Sequence, residues 1–320
     1  MNNKITLSII IVNWNTHDLL RQCLKSIYQE TKNIDFEIFV VDNNSRDKSV
    51  EMVQQEFPQV KLIVNQKNLG FAYANNQAIK RSGGAYILLL NPDTIILENA
   101  IEKCIKFLEN QRPHYNYDHN YFTKAKKIIK KSSENELKKK IGVLGCKLLN
   151  PNKTWQPSCR TFPTLFSQII ILLKIHNLFP SLIKKYLMLE IDQNKSYEIS
   201  QVMGAFFLIK KEVIEKIGLL DKKYWIWFEE VDFCKRAKLA GYKIFYWPSA
   251  SIIHYKAQSF NQVLGIKKQW HLNASMLHYF WKFSKFGFPI LLLLWPVSML
   301  LALIVQIMQL VIPVRKKKYL

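Results

Sequence analysis

Two periodicities alternate along the first hundred residues. "LSIIIVNWN", "FEIFVVDNNS", "VKLIVNQKN" and "YILLLNPDT" are short apolar runs closed by polar residues, and read as buried strands. Between them, "HDLLRQCLKSIYQE" sets Leu20, Cys23, Leu24 and Ile27 on one helical face. A second helix carries Val50, Val53 and Phe57, with Ser45 as its expected cap. "GFAYANNQAIKRSGG" reads as a helix ending at its Gly pair, and "ENAIEKCIKFLEN" as a helix with Ile101, Cys104, Ile105 and Leu108 inward. Regular alternation of this kind predicts an α/β fold, a mostly parallel central sheet covered by helices.

Residues 111–140 break the rhythm. They are rich in Lys and polar aromatics and read as an exposed basic insertion, with a short helix around Lys124–Lys131. A solvated loop and a phospholipid-facing patch both fit that composition. Order resumes at "IGVLGCKLL", Leu165 to Leu189 reads as mostly helical, and "QVMGAFFLIKKEVIEKIGLLD" as strand, short helix and turn. Glu229 to Ala240 is a predicted helix stopped by Gly241, with Glu229, Asp232, Phe233 and Arg236 on one face. Glu230 turns instead toward the aromatic run Trp225, Trp227 and Phe228.

The run Pro289 to Val314 is almost wholly apolar and longer than the ~20 residues that cross a bilayer. Basic residues flank both of its ends, Lys267, Lys268, Lys282 and Lys285 before it and "RKKK" after it. One span cannot satisfy the positive-inside rule at both ends, and Pro296 permits a re-entrant or in-plane helix pair. Membrane attachment is expected with its topology open; a buried hairpin of a soluble oligomer is the alternative. The expected organisation is a nucleotide-sugar-binding half at 5–110, the basic insertion at 111–140, an acceptor or catalytic half at 141–275 and a membrane-associated helical tail at 280–320.

A formal net charge of +22 favours an anionic partner. The basic residues gather in the insertion and the tail flanks without a nucleic-acid-binding motif, so an anionic membrane surface or a phosphorylated substrate is expected, and no nucleic acid. Five scattered cysteines without a C-x-x-C pair argue against a disulfide framework and a structural zinc site, and fit a reducing cytosol. The first apolar run is too short for a signal peptide. No P-loop and no G-x-G-x-x-G is present.

The chemistry gathers at strand ends. Asn13 with Asn15, Asp42 with Asn43, Asn65 with Asn68, and Asn91 with Asp93 close the four strands, and open α/β sheets bind ligands outside these ends. One such carboxylate alone is compatible with a turn; four aligned polar ends make a site. A metal at Asp93 would carry a diphosphate. Downstream, three carboxylates stand beside three aromatics, a setting in which sugars stack and an apolar wall raises a carboxylate into the range of a general base. His254 closes the predicted strand "SIIHY".

In order, "SIIIVNWNT", "VVDNNS", "NLGFAYANNQAI", "LLLNPDT", "PSCRTFPTL", "MGAFFLIKKEV", "FEEVDFCKRAKLAGY" and "IIHY" resemble glycosyltransferase family 2, and within it the rhamnosyltransferase-like branch of the GT-A fold. The resemblance covers roughly residues 5–275. It implies a GT-A fold in which Asp42 contacts the nucleotide, with Asn68 and Gly70 near it and Asn13, Asn43 and Asn91 in the same nucleotide-sugar site. Asp93 matches the last position of the family's D-x-D motif and His254 a metal-binding His, for Mg²⁺ or Mn²⁺. Glu229–Glu230 matches the family's Glu-Asp pair, whose second carboxylate is the base, and Asp232 completes the catalytic candidates. Arg160, Trp227 and Gly204 are the acceptor or donor contacts; a structural salt bridge is an equal alternative for Arg160. Two positions depart from the pattern: Asn91 stands first in D-x-D, and Glu230 replaces the commoner Asp.

The expected function is an inverting, divalent-metal-dependent transfer of a sugar, rhamnose among the candidates, from a dTDP- or UDP-linked donor to a lipid-linked or glycan acceptor. The expected location is the cell membrane, with the catalytic domain facing the cytoplasm. The alternative is an inactive nucleotide-sugar-binding or scaffold protein of the same assembly line.

Overall fold

The computed structural model describes residues 5–110, 140–256, 258 and 262–311. The expected insertion helix and the "RKKK" flank lie outside these residues. Strands β1 (Leu7–Asn13), β2 (Phe36–Asp42), β3 (Lys61–Val64) and β4 (Tyr86–Leu90) alternate with helices α1 (His17–Glu30), α2 (Ser49–Glu56) and α3 (Phe71–Ile79). All seven residues of β1 are buried, because helices cover both faces of a parallel sheet.

Strand β5 (Thr94–Ile96), helix α4 (Ala100–Glu109) and strands β6 (Ile141–Leu149), β7 (Trp155–Gln156) and β8 (Cys159–Arg160) follow. Next come helix α5 (Leu165–Leu172), two short 3-10 turns, and strands β9 (Tyr197–Ile199), β10 (Gln201–Val202) and β11 (Phe206–Lys210). Helices α6 (Lys211–Ile217) and α7 (Glu229–Leu239), strand β12 (Lys243–His254), and helices α8 (Gly265–Phe283) and α9 (Gly287–Val311) complete the chain. Among the described residues one sheet runs β3-β2-β1-β4-β11-β6-β12-β5, with β7 on β6 and β9 on β12; β8 and β10 pair separately. β3, β2, β1 and β4 are parallel, whereas β11 enters antiparallel to both β4 and β6.

The order 3-2-1-4 means that the chain reverses direction across the sheet between β1 and β4. That switch point leaves a crevice outside the carboxyl ends of the two strands. The register of β5 on β12 pairs Thr94 with His254, which sets Asp93 beside the histidine ring.

Several local expectations change. Ser45 caps no helix: its hydroxyl accepts from the Asn15 N–H, while Asp47 takes the N–H of Ser49 at the start of α2. α3 ends at Ile79, four residues before Gly83, and the 165–189 segment is α-helical only as far as Leu172. Pro296 does not divide the tail, because α9 runs unbroken through it. A proline needs no intrahelical partner for its own missing N–H, and the helix bears the loss of one bond.

α8 fastens the tail to the rest. Its Lys282 bridges Asp232 at 2.5 Å and Asp221 at 3.2 Å, and its His278 lies 3.0 Å from Asp221. Burial would raise the Asp221 carboxyl, but His278, the Lys223 N–H and Lys282 together hold it down at about 2. Tyr224, Phe228, Met276, Tyr279, Phe280 and Leu291 pack into one apolar cluster around these ion pairs.

Lys282→Met should therefore lower stability by about 2 kcal/mol, since Asp232 is fully buried and would keep only Arg236 as its cation. A shift in the denaturation midpoint at unchanged slope is the measurement; an unchanged midpoint would show the bridge to be idle.

Candidate active site

A cavity of about 320 Å³ opens at the switch point. Its wall includes Asn43, Asn68, Gly70, Asn91 and Asp93 from the strand ends, and Arg160, Gly204, Trp227, Glu229, Glu230 and His254 from the later elements. Eleven of the residues expected from sequence thus meet on one surface. Three do not. Asn13 and Asp42 lie behind the wall, where Asn13 Nδ2 donates to Asp42 Oδ2 at 2.9 Å and the Ser45 N–H donates to Asp42 Oδ1. Asp232 is sealed in the ion cluster with Arg236 and Lys282 and is absent from the cavity wall, because i and i+3 on α7 share a face that is mostly core.

On the cation side, geometry fixes a tautomer. Gln156 Nε2 donates to the His254 carbonyl at 3.0 Å and to Asn150 Oδ1 at 2.9 Å. A backbone carbonyl can only accept, so the amide nitrogen must face it and Oε1 must face the ring. His254 Nδ1, 2.7 Å from that oxygen, therefore carries the hydrogen. In the neutral ring the Nε2 lone pair then looks at Asp93 Oδ1, 3.3 Å away, with Asn91 Nδ2 at 3.4 Å. An imidazole nitrogen and a carboxylate oxygen thus converge on one point, an arrangement that suits a divalent ion with mixed oxygen and nitrogen ligands. Among the described residues no group of three His, Cys, Asp or Glu converges, so the protein alone offers an incomplete ligand set.

On the proton side, Trp227 and Phe228 both adopt positive φ, 60° and 65°. Such backbone costs roughly 1–3 kcal/mol per residue and is held only by dense surroundings. Here the Ser275 hydroxyl donates to the Ile226 carbonyl at 2.7 Å, and Phe228 packs on Tyr279. The turn delivers Glu229 and Glu230 to the cavity at the first turn of α7. Burial and the neighbouring Glu230 push the Glu229 carboxyl well above the usual carboxylate range. Burial also raises Glu230, which its own N–H, Arg160 and Glu229 restrain. Both carboxyls are raised, and Glu229 holds its proton the more tightly. Oε2 of each is buried without a hydrogen-bond partner among the described residues.

Gly70 joins the two sides. At φ 84° it lies so close to Trp225 that an added Cβ would sit 2.5 Å from the Trp225 carbonyl oxygen. That oxygen accepts from the Phe71 N–H at 2.7 Å. Sequence reasoning missed Gln156, which lies just ahead of the "PSCRTFPTL" stretch and belongs to no motif. It also assigned no site role to Trp14, Lys256 and Gln258, all on the wall.

The sequence profile described as Glycosyl transferase family 2 matches residues 8–218, and the chain belongs to that family. It is a glycosyltransferase. Rhamnosyltransferase WbbL of Escherichia coli (strain K12) is 22% identical over 278 residues, covering 83% of this chain and 90% of that protein. The N-acetylglucosaminyl-diphospho-decaprenol L-rhamnosyltransferase of Mycobacterium tuberculosis (strain CDC 1551 / Oshkosh) is 21% identical over 269 residues, 79% of this chain and 77% of that protein. Another relative, 31% identical over 114 residues, is matched over only 39% of its length. Among solved structures, mannosyltransferase PcManGT from Pyrobaculum calidifontis, in complex with GDP-Man and Mn²⁺, has a TM-score of 0.54 at 15% identity and covers 95% of this chain and 75% of that chain. The fold is GT-A, with a mostly parallel sheet and one apolar C-terminal helix.

The raised Glu229 carboxyl has a consequence for stability. Above the ordinary carboxylate value of 4.5, the unfolded chain releases a proton that folded Glu229 keeps. Stability therefore falls as pH rises above that value. Glu229→Gln should remove this penalty, so its melting temperature should exceed the wild type's at neutral pH, with the gap closing toward pH 4.5. Parallel melting curves across pH test it; a gap that is constant or reversed would place the proton elsewhere.

Proposed function

We propose that this chain is an inverting, divalent-metal-dependent glycosyltransferase that moves a sugar, rhamnose in the first instance, from a dTDP- or UDP-linked donor to a lipid-linked acceptor at the cytoplasmic face of the membrane. The observation that carries this reading is the meeting of a candidate cation-binding pair, Asp93 with His254, and a buried carboxylate pair, Glu229 with Glu230, on one cavity wall. The rhamnosyl group is suggested by both relatives, and the lipid-linked acceptor by the decaprenol-linked substrate of the mycobacterial one. In this reading residues 5–110 serve the donor, 141–275 the acceptor, and 280–320 attach the protein to the membrane.

Asp93, His254 and Asn91 would hold Mg²⁺ or Mn²⁺, the remaining positions being left to the donor's diphosphate. When bound, the ion would supply charge stabilisation for the departing nucleoside diphosphate. Gln156 keeps the His254 lone pair aimed at that position. Glu230 takes the proton of an acceptor hydroxyl as its oxygen attacks the anomeric carbon; the bond from that carbon to the diphosphate oxygen breaks, and its electron pair leaves with the diphosphate. One proton-accepting pair beside the attack position supports a single displacement with inversion. Arg160 restrains Glu230 in its charged form. Trp227 offers a face for sugar stacking, and the amide network of Asn43, Asn65 and Asn68 shapes the nucleotide end.

A panel of dTDP-, UDP- and GDP-linked sugars, scored for transfer to membrane-extracted lipid with Mn²⁺ present, tests donor and acceptor together. Undiminished transfer in EDTA would sink the metal assignment. Glu230→Gln should reduce turnover by roughly 10²–10⁴-fold with donor affinity little changed. A larger loss in Glu229→Gln, with Glu230→Gln near normal, would reassign the base. Gln156→Leu should raise the Mn²⁺ concentration needed for half-maximal turnover about 10–100-fold; an unchanged requirement would refute its positioning role.

A further inference from the structure

We infer that helix α9 and the Lys174–Lys185 loop form one platform that lies in the surface of an anionic bilayer, with α9 parallel to the membrane plane and not crossing it. This rests on the membrane attachment proposed above and specifies its form.

By length and composition Gly287–Met308 could cross a membrane. Its contacts argue otherwise. α9 lies antiparallel along α8: Leu291 packs beside Phe280, Ser298 donates to Asn273 Oδ1 at 3.3 Å, and Gln306 Oε1 accepts from the Ile266 N–H at 3.0 Å. α8 in turn is bolted to the catalytic domain through Ser275, His278 and Lys282. A crossing α9 would have to break contacts at both ends of α8, or pull buried Gln269 and Asn273 and charged Lys267 into hydrocarbon. Lying flat, it keeps all of them and still turns a broad apolar face outward, with Leu293 78% and Leu300 58% exposed.

The loop extends that face. α5 packs against α9 through Leu172 and Leu291, and Lys174 Nζ donates to Gln269 of α8, so the loop that follows is carried on the same assembly. At its tip Leu178 is 78% and Phe179 59% exposed, and Leu182 is also exposed. A soluble surface rarely leaves so much contiguous apolar area open. From Lys174 to Lys185 there are three lysines and no acidic residue. Lys184 and Lys185 stand exposed just behind the tip, where they can meet lipid phosphates. Half-exposed Trp270 and Trp281 on α8 add the amphipathic rings common at that depth.

The test uses the full chain. All five native cysteines are buried, so an introduced cysteine takes an environment-sensitive fluorophore selectively. Phe179→Cys, Leu300→Cys and, as control, Val64→Cys are moved from detergent into vesicles of phosphatidylcholine with phosphatidylglycerol. Probes at 179 and 300 should shift to the blue and be quenched by lipid-borne nitroxide, while 64 stays aqueous. Neutral phosphatidylcholine alone should bind about tenfold more weakly. Quenching at 300 without 179 would overturn the platform and leave the tail attachment standing; quenching at neither would refute the attachment itself. Shielding of 179 without lipid, with a dimer in sedimentation, would assign the face to a second copy. Met308→Cys modified by an impermeant maleimide only after the vesicles are permeabilised would show that α9 crosses.

Discussion

The carbonyl oxygen of Trp225 accepts a hydrogen bond from the Phe71 N–H, and the indole of the same residue stacks on His271 with ring centroids 4.0 Å apart. One residue thus holds the amino end of α3, the cavity wall and α8 together. The approach works only because Gly70 has no side chain. Everything downstream in the wall inherits its position from this contact, including the positive-φ pair Trp227–Phe228 and the carboxylates that follow. A backbone this strained has no local reason to persist; the apolar cluster beneath it supplies one.

The cavity separates two kinds of charge. Asp93 and His254 form a cation-seeking end, with the ring's Nδ1–H donated to Gln156 Oε1. Glu229 and Glu230 form a proton-accepting end in which burial raises both carboxyls, Glu229 the more. Arg160 stands near the second of them. The charge of Glu230 adds to burial in raising Glu229.

Much of this was legible before any coordinates. Strands β1, β2 and β4 announce themselves as apolar runs with polar ends, and α7 by its spacing and by Gly241, which takes φ 91°. Their meeting point follows from topology. What failed was local. Helical periodicity could say that Glu229 and Asp232 share a face of α7, but not that the face divides between cavity and core within one turn. Ser45 had the chemistry of a cap, and the competing demand of the Asn15 N–H came from a residue thirty positions away. Gln156 carries no pattern at all, since an amide that orients a histidine looks like any other. Pro296 has the chemistry of a break, yet the packing of α9 on α8 outlasts the loss of one helical bond.

The fastening of α8 behind the cavity also sets an order of assembly. Chains emerge from the ribosome amino end first, and the strands of the sheet are all synthesised before Gly265. The sheet can close around β1 and β4 while the turn at Trp225–Phe228 still lacks His271, Ser275 and Tyr279 behind it. Only when α8 has docked does the carboxylate pair acquire its support, and α9 is the next segment made. Completion of the wall and exposure of the apolar helix therefore fall at the same moment in the life of the chain.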